Sequence, residues 1–569
     1  MIVGIDLGTT NSAIGIWRDG RAQLIPNSLG SPLTPSAVSL DEDGNVLVGL
    51  AARERQVTHP RVTATAFKRY MGSQRRIELG SRTFTPEDLS ALVLRSLKAD
   101  AERFLGEPVT DAVITVPAYF SDRQRKATKR AGQLAGLNVE RLLNEPTAAA
   151  LAYGIHLGNV ETRFLVFDLG GGTFDVSILE LFEGIIEVRA STGDTRLGGE
   201  DFNNVLVDLF TKAHQKALGR IARDDTSPLY QRIRDQAERC RRRLSAEDRA
   251  TMSVIWRDRP HELEVSAATF ADACQPLIDR LRSPVLQALH DSSVQAAQLS
   301  EIVLVGGATR MPVVRKAVTK MFGRFPAASV HPDEAVAIGA AIQAGLKSRD
   351  ADLKEVVLTD VCPYTLGVAI SERLPSGARE SGIFAPIIER NTTVPTSRER
   401  VFSTISDGQK TVELEVYQGE SRKVESNIHL GKLQIPVPYG RAGEIAVHCR
   451  FSYDINGILE VDLHVPATGQ KRQLVIVDDP DTLDADELAR RRSVLAALKV
   501  HPKDDDANRA LLARIERCYE QALGERRERI GQWILQFNAI LEDQNPRQIS
   551  EARERLSATL DELEGESYL

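Results

Sequence analysis

Hydrophobic and polar positions change their period twice along this chain. Up to about residue 350, short apolar runs such as Ile302-Val303-Leu304-Val305 alternate with helical patterns, which predicts an α/β region. Between about 361 and 480 the period falls to two. Val412, Leu414 and Val416 alternate with Thr411, Glu413 and Glu415, and Leu459, Val461, Leu463 and Val465 alternate with Glu460, Asp462 and His464. Asp407-Gly408 and Asn456-Gly457 supply turns between such runs, so this part predicts an antiparallel sheet. From about 483 the pattern is helical and rich in Glu, Arg, Leu and Ala, with a break at Asn545-Pro546. The segment from Leu353 to Asp360 stands between the first two stretches. Its Val356, Val357 and Leu358 favour burial, unlike a Gly/Ser tether. It is either the first strand of the next domain or a linker that docks in one state and is released in another.

Composition narrows the classes. The chain has 569 residues, a formal net charge of −7, 42% apolar residues and 27% charged residues. At roughly 150 residues per domain this suggests about three or four domains. The chain is too apolar for general disorder. It is too acidic to hold nucleic acid by bulk charge. No apolar run reaches the ~18 residues of a membrane span, so no membrane partner is expected. Met1-Ile2-Val3-Gly4-Ile5 enters a strand with no basic leader or cleavage site, so a cytoplasmic location is expected. Cys240, Cys274, Cys362, Cys449 and Cys518 are odd in number, widely spaced and without a CxxC pair. They read as buried reduced thiols, neither metal cluster nor disulfide framework.

The strongest chemical signal is an internal echo. Ile5-Asp6-Leu7-Gly8-Thr9-Thr10 recurs as Phe167-Asp168-Leu169-Gly170-Gly171-Gly172-Thr173. Each copy follows apolar residues and precedes a second strand-like run, so each reads as strand, glycine turn, strand. Glycines let backbone N–H groups approach phosphate oxygens closely, and threonine hydroxyls add donors. An Asp at the end of the first strand suits a cation. Magnesium keeps most of its waters, so Asp6 and Asp168 need hold only its hydration shell. Two such loops facing each other would clamp a magnesium nucleotide. A third glycine pair, Gly306-Gly307, follows a strand and offers bare backbone to a base or ribose. Glu238, Arg241, Arg242 and Ser245 recur at i, i+3, i+4 and i+7, one face of a helix. A guanidinium there can stack on a purine while Glu and Ser bond ribose hydroxyls.

Six motifs then resemble one family. They are Ile5 to Ser12, Ile114-Thr115-Val116-Pro117-Ala118-Tyr119-Phe120, Asn144-Glu145-Pro146-Thr147-Ala148-Ala149-Ala150, Phe167 to Asp175, Leu197-Gly198-Gly199-Glu200-Asp201-Phe202 and His331-Pro332-Asp333-Glu334-Ala335-Val336-Ala337. Across almost its whole length the chain resembles the DnaK-type heat-shock chaperones, most closely the HscC branch. The resemblance implies a multidomain protein with an α/β actin-like ATPase domain at 1–352 and an interdomain linker at 353–360. An antiparallel β-sandwich that holds peptide would follow at 361–480, with an α-helical lid at 481–569. It implies ATP hydrolysis to ADP with Mg2+, with K+ admitted beside it, and binding and release of extended hydrophobic segments of clients. A small-molecule kinase or a filament protein of the actin-like superfamily would share the phosphate loops, but would leave the sheet and helical regions without a purpose.

The resemblance also implies roles. Gly8, Thr9, Thr10, Asn11, Gly170, Gly171, Gly172, Thr173, Gly198 and Gly199 would face the phosphates. Asp6, Asp168 and Asp175 would organise magnesium and its waters. Lys68 would reach the γ-phosphate, and Glu145 would orient the attacking water; which carboxylate takes the proton stays open. Glu238, Arg241, Arg242, Ser245, Gly306, Gly307, Arg310 and Asp333 would hold adenosine. Pro117 and Arg125 match a proline switch and its relay, and Arg141, Asn144, Thr147 and Asp360 a docking surface for a J-domain co-chaperone. Val368, Phe402, Ile405, Val412 and Leu414 match a peptide pocket, with Ser371 near one side of its arch. The stretches Met71 to Thr85 and Ser245 to Val265 are shorter than the family's usual ones. Fast nucleotide release without the standard exchange factor is therefore expected. The chain ends at Tyr568-Leu569 without a long acidic tail, so tail-reading partners are not expected.

Overall fold

The computed structural model describes residues 1–40, 46–154, 162–182, 185–257, 259–327, 331–348, 357–373, 379–475, 508, 511–512, 515, 518–519, 524–543 and 545–565. The chain divides into two compact units. The first comprises Met1–Tyr364, Arg390–Val394 and Ile455–Gly457, and the second Thr365–Glu389, Pro395–Asp454 and Ile458–Leu569.

In the first unit the sequence echo is a repeat of topology. The strand Ile2–Asp6 runs parallel to Asp111–Val116 and antiparallel to Asn11–Arg18, which pairs with Arg21–Leu24. A second sheet follows the same plan. Thr162–Leu169 runs parallel to Glu301–Val305 and antiparallel to Phe174–Phe182, which pairs with Ile185–Asp194. The central strands are apolar without alternation: Val3, Ile5, Leu165, Val166 and Phe167 are all fully buried. Strands covered on both faces require such runs. Val357–Val361 extends the second sheet, parallel to Ile185–Asp194, with Val357 opposite Ile185 and Leu358 opposite Ile186. Thr393–Val394 adds antiparallel to it. Residues 353–356 of the expected linker lie outside the described residues.

Two small-residue helices, Glu145–Gly154 and Ala335–Lys347, pack against each other across these sheets. Ala148, Ala149, Ala337, Ala340 and Ala344 are fully buried. At Gly339 the approach is backbone to backbone: a Cβ there would lie 1.7 Å from the Ala148 carbonyl oxygen.

The second unit holds two four-stranded antiparallel sheets. One has the order Arg379–Ile388, Leu366–Arg373, Thr411–Gln418, Ile428–Pro436; the other Thr396–Ser403, Ala446–Tyr453, Leu459–Val465, Gln470–Val475. Their alternating apolar positions, among them Leu366, Val416, Val447, Phe451, Val461 and Leu463, are buried. The helices Gly524–Asp543 and Pro546–Gly565 follow. Asn545 separates them: its Oδ1 accepts from Arg547 N at 3.1 Å, and its carbonyl from Ile549 N at 3.0 Å. Ile530, Phe537, Leu541, Ile549 and Leu560 form their apolar cluster with Leu511, Ile515 and Cys518. The first part of the expected lid, 481–507, lies outside the described residues, as do Tyr568 and Leu569. All five cysteines are buried thiols outside any disulfide. No described helix is long and apolar enough to cross a membrane.

The helix crossing yields a first prediction. Gly339→Ala places a methyl inside the Ala148 carbonyl, and overpacking of this kind costs about 3 kcal/mol. The unfolding midpoint of the first unit, followed by calorimetry, should fall by several degrees. An unchanged midpoint would show that the two helices can separate freely.

Candidate functional site

The two glycine turns face each other across a cavity of about 520 Å3. In the first, Gly8 N donates to Ser12 Oγ at 3.1 Å, and Ser36 Oγ donates to the Gly8 carbonyl at 2.8 Å. In the second, Gly170 N donates to the Thr173 carbonyl at 3.1 Å and closes the turn. The start of the helix Gly199–Ala213 is tied to this turn: Gly199 N donates to the Gly170 carbonyl and Glu200 N to the Gly171 carbonyl, both at 2.9 Å.

Twenty of the residues singled out from sequence line this cavity: Asp6, Gly8, Thr9, Thr10, Asn11, Lys68, Glu145, Asp168, Gly170, Gly171, Thr173, Gly199, Glu238, Arg241, Arg242, Ser245, Gly306, Gly307, Arg310 and Asp333. Gly172, Gly198 and Asp175 are not among the lining residues. Gly172 and Gly198 sit in the turn and at the helix start behind it, and Asp175 is buried one strand position beyond.

At the floor, Lys68 Nζ donates to Glu145 Oε1 at 2.8 Å, and the lysine side chain is only 3% exposed. The same ammonium lies 5.5 Å from the centre of the Phe120 ring. Asp6 accepts from Thr115 Oγ1 at 2.9 Å, and Asp175 Oδ1 accepts from the Tyr119 backbone N–H at 3.0 Å. Burial first, and then the charge of Glu145, push Asp6 and Asp175 each up to about 7. The same two causes, in that order, raise Asp168 well above the carboxylate range. These carboxyls are short of positive charge, which a divalent cation would supply. Asp6 and Asp168 stand in the cavity wall as oxygen donors, a set that fits a magnesium ion held through its waters.

The helix Pro228–Arg243 supplies the opposite wall. Burial would raise the Glu238 carboxyl, but Arg53, Arg242 and Arg241 together hold it below its usual range. Arg53 reaches it at 2.8 Å from the helix Leu50–Thr58 on the far side of the cleft. Arg241 Nε donates to Asn203 Oδ1 at 2.7 Å. Ser245 lies just past the helix end and donates to the Arg241 carbonyl at 3.2 Å. Arg310 pairs with Asp333 at 2.5 Å. Sequence reasoning missed Asn203 and Glu200 in this lining. Their signal was available: with Gly199 they share the first face of the helix that the Leu197 to Phe202 motif opens.

Behind the cleft, a capping box at Ser121 starts the helix Asp122–Leu134 and sets Arg125 in its first turn. Arg125 donates to the Ala118 carbonyl at 2.9 Å, the Phe120 carbonyl at 3.2 Å and Asn144 Oδ1 at 2.7 Å, so it grips the segment after Pro117. Thr147 Oγ1 donates to Asp360 Oδ2 at 3.2 Å. Arg141, its pKa lowered by burial and partly restored by the Asp360 charge, donates to Gln343 Oε1 at 3.0 Å.

In the second unit a separate cavity of about 500 Å3 is lined by Phe402, Ile405, Val412 and Leu414, together with Ile370, Ser371 and Ser381. The two serine hydroxyls lie 2.9 Å apart. Val368 does not line it; it is fully buried beneath, opposite Val416. Ile370, two residues on, stands at the cavity instead.

The family model described as "Hsp70 protein" matches residues 2–78 and 74–568 of this chain. Relatives named "Chaperone protein DnaK" from Thermotoga petrophila, Thermotoga sp. (strain RQ2) and Thermotoga maritima are each 42% identical to it over 500 residues. Those matches cover 86% of this chain and 82% of theirs. With a cleft of this build, and matches that run from end to end of the described residues, the chain belongs to the Hsp70 family, ATP-dependent chaperones that bind unfolded polypeptides.

Proposed function

We propose that the cleft hydrolyses ATP with the roles the sequence suggests, and that the cavity of the second unit holds an extended client segment. The observation that carries this is the buried Lys68–Glu145 pair, set among three raised carboxyls and facing two glycine turns in one cavity. Backbone N–H groups of Gly8 to Asn11 and Gly170 to Thr173 would clasp the phosphates. Lys68 would meet the γ-phosphate, and Glu145 would orient the attacking water. Positioning and charge neutralisation of this kind supply most of what phosphoryl transfer needs. Asp6 and Asp168, with Asp175 behind them, would organise magnesium and its waters; magnesium when bound neutralises the phosphate charge, and potassium beside it belongs to the same proposal. Arg241 and Arg242 would flank the adenine, with Glu238 and Ser245 toward the ribose and Gly306, Gly307, Arg310 and Asp333 closing the other side.

The finer assignments belong to this reading too. They are membership of the HscC branch, a cytoplasmic site of action, division at 352, 360 and 480, a J-domain partner meeting Arg141, Asn144, Thr147 and Asp360, and exchange without the standard factor. The short hairpin Arg249–Trp256 and Arg259–Ser266 supports easy release, whereas Arg53–Glu238 and Gln56–Gln231 clasp the cleft. Partly exposed pairs are worth about 0–1 kcal/mol each, too little to hold nucleotide against a shortened wall. Ile405, 46% exposed, and the two serines line this groove, which supports a specialised peptide preference.

Three outcomes test this reading. Lys68→Ala should keep nucleotide binding and lose hydrolysis by roughly a hundredfold or more in single-turnover assays; retained turnover removes Lys68 from the chemistry. A labelled hydrophobic peptide should leave faster with ATP than with ADP, and equal rates would break the link between the two activities. Fluorescent ADP should dissociate quickly from the protein alone. Slow release that an exchange factor accelerates many-fold would refute independence from it.

A further inference from the structure

The backbone of Tyr119 is held at both of its polar groups. Its N–H donates to Asp175 Oδ1 at 3.0 Å, and its carbonyl accepts from the Tyr364 hydroxyl at 2.9 Å. The two tyrosine rings stack with centroids 4.3 Å apart and an interplanar angle of 35°. Tyr364 packs within the first unit, three residues after the strand Val357–Val361 that extends the second sheet. The turn it holds is short and fully engaged. Arg125 grips the carbonyls of Ala118 and Phe120, and the Phe120 ring lies beneath the Lys68 ammonium.

We propose that Tyr364 is a positioning residue for ATP hydrolysis: its hydroxyl holds the Tyr119 carbonyl, and with it the Tyr119 backbone whose N–H holds the Asp175 carboxylate. The Tyr119 N–H and carbonyl belong to two successive planar peptide groups hinged at the Tyr119 Cα, so a bond on the carbonyl limits the φ/ψ rotation that would swing the N–H away from Asp175. Asp175 is fully buried and takes this backbone N–H as its donor from Tyr119. A shift of a fraction of an ångström at a carboxyl that stands opposite Asp168, itself in the cleft wall, is enough to slow the chemistry while leaving substrate affinity intact. The ring of Tyr364 accounts for packing; only the hydroxyl reaches the Tyr119 carbonyl. The two contributions can therefore be separated by one atom.

The inference rests on the role proposed above for Asp175, and the experiment keeps the two apart. Tyr364→Phe retains the ring stack and removes the hydroxyl. In the full-length protein it should slow single-turnover hydrolysis of bound ATP by about three- to tenfold. The ATP dissociation constant should stay within about twofold and the unfolding midpoint within about 2 °C. In an Asp175→Asn background the same change should have no further effect, because the hydroxyl acts through the lost carboxylate. If Asp175→Asn is slow but Tyr364→Phe hydrolyses at the parental rate, the inference fails and the reading of the cleft stands. An equal fractional loss in both backgrounds also overturns it, since the hydroxyl would then act elsewhere. If Asp175→Asn itself hydrolyses at the parental rate, the role of Asp175 falls and the inference with it.

Discussion

A lysine ammonium buried beside four carboxyls sets the terms for the first unit. Lys68 at 3% exposure could not be tolerated without Glu145 at 2.8 Å, because an isolated buried charge costs many kcal/mol. The pair alone does not settle the account of Asp6, Asp168 and Asp175, which burial and mutual repulsion push toward the neutral form. Such a cleft suits a ligand that brings positive charge to the aspartates and negative charge to the ammonium and the glycine N–H groups at once. A metal complex of a nucleoside triphosphate does both. Carboxyls held near neutrality in the same place would be a poor choice for structure alone, since apolar residues of similar volume are often as stable.

The duplicated sheet explains how the charges come together. Each copy carries an aspartate at or next to the end of its first strand, just ahead of a glycine turn, and a neighbouring strand, parallel in the first sheet and antiparallel in the second, brings one further polar residue beside it. In the first sheet Asp111–Val116 delivers Thr115 to Asp6; in the second Phe174–Phe182 delivers Asp175 beside Asp168. The halves can approach because the helices between them are built of alanine and glycine. A side chain at Gly339 would drive its Cβ into the Ala148 carbonyl and force the two helices apart.

What the sequence showed and what it hid follow the same division. Strand–turn–strand echoes, the period-two region and the arginine face of Pro228–Arg243 are local patterns, and all are present. The helix break at Asn545-Pro546 is present as well. Contacts between distant residues leave no such trace. Arg53 and Glu238 are 185 positions apart, and nothing near either one announces the other. Tyr119 and Tyr364 are 245 apart. The misplacement of Val368 lies along its own strand: the residue pairs with Val416 in the core, and the cavity begins one residue later, at Ala369, Ile370 and Ser371. Pairing with Arg379–Ile388 slips there, with Gly382 as the extra residue on the partner strand and itself in the cavity wall, a local feature that period-two alternation does not announce.

The first turn of Glu145–Gly154 is where the floor of the cleft and the strand Val357–Val361 meet. Glu145 holds Lys68, Asn144 just before it is held by Arg125, and Thr147 is held by Asp360 of the strand Val357–Val361. Within four residues, one helix start thus touches the cleft floor, the segment after Pro117 and that strand. A single Thr–Asp bond contributes about 1 kcal/mol, a fivefold effect at best. Coupling of useful size would therefore need the strand to leave as a unit. Its pairing to Ile185–Asp194, the Arg141–Asp360 attraction and the Thr147 bond would then be lost together. A short strand with only the two-residue Thr393–Val394 beyond it is suited to that, because its ladder bonds are few and the central strands can stay in place without it.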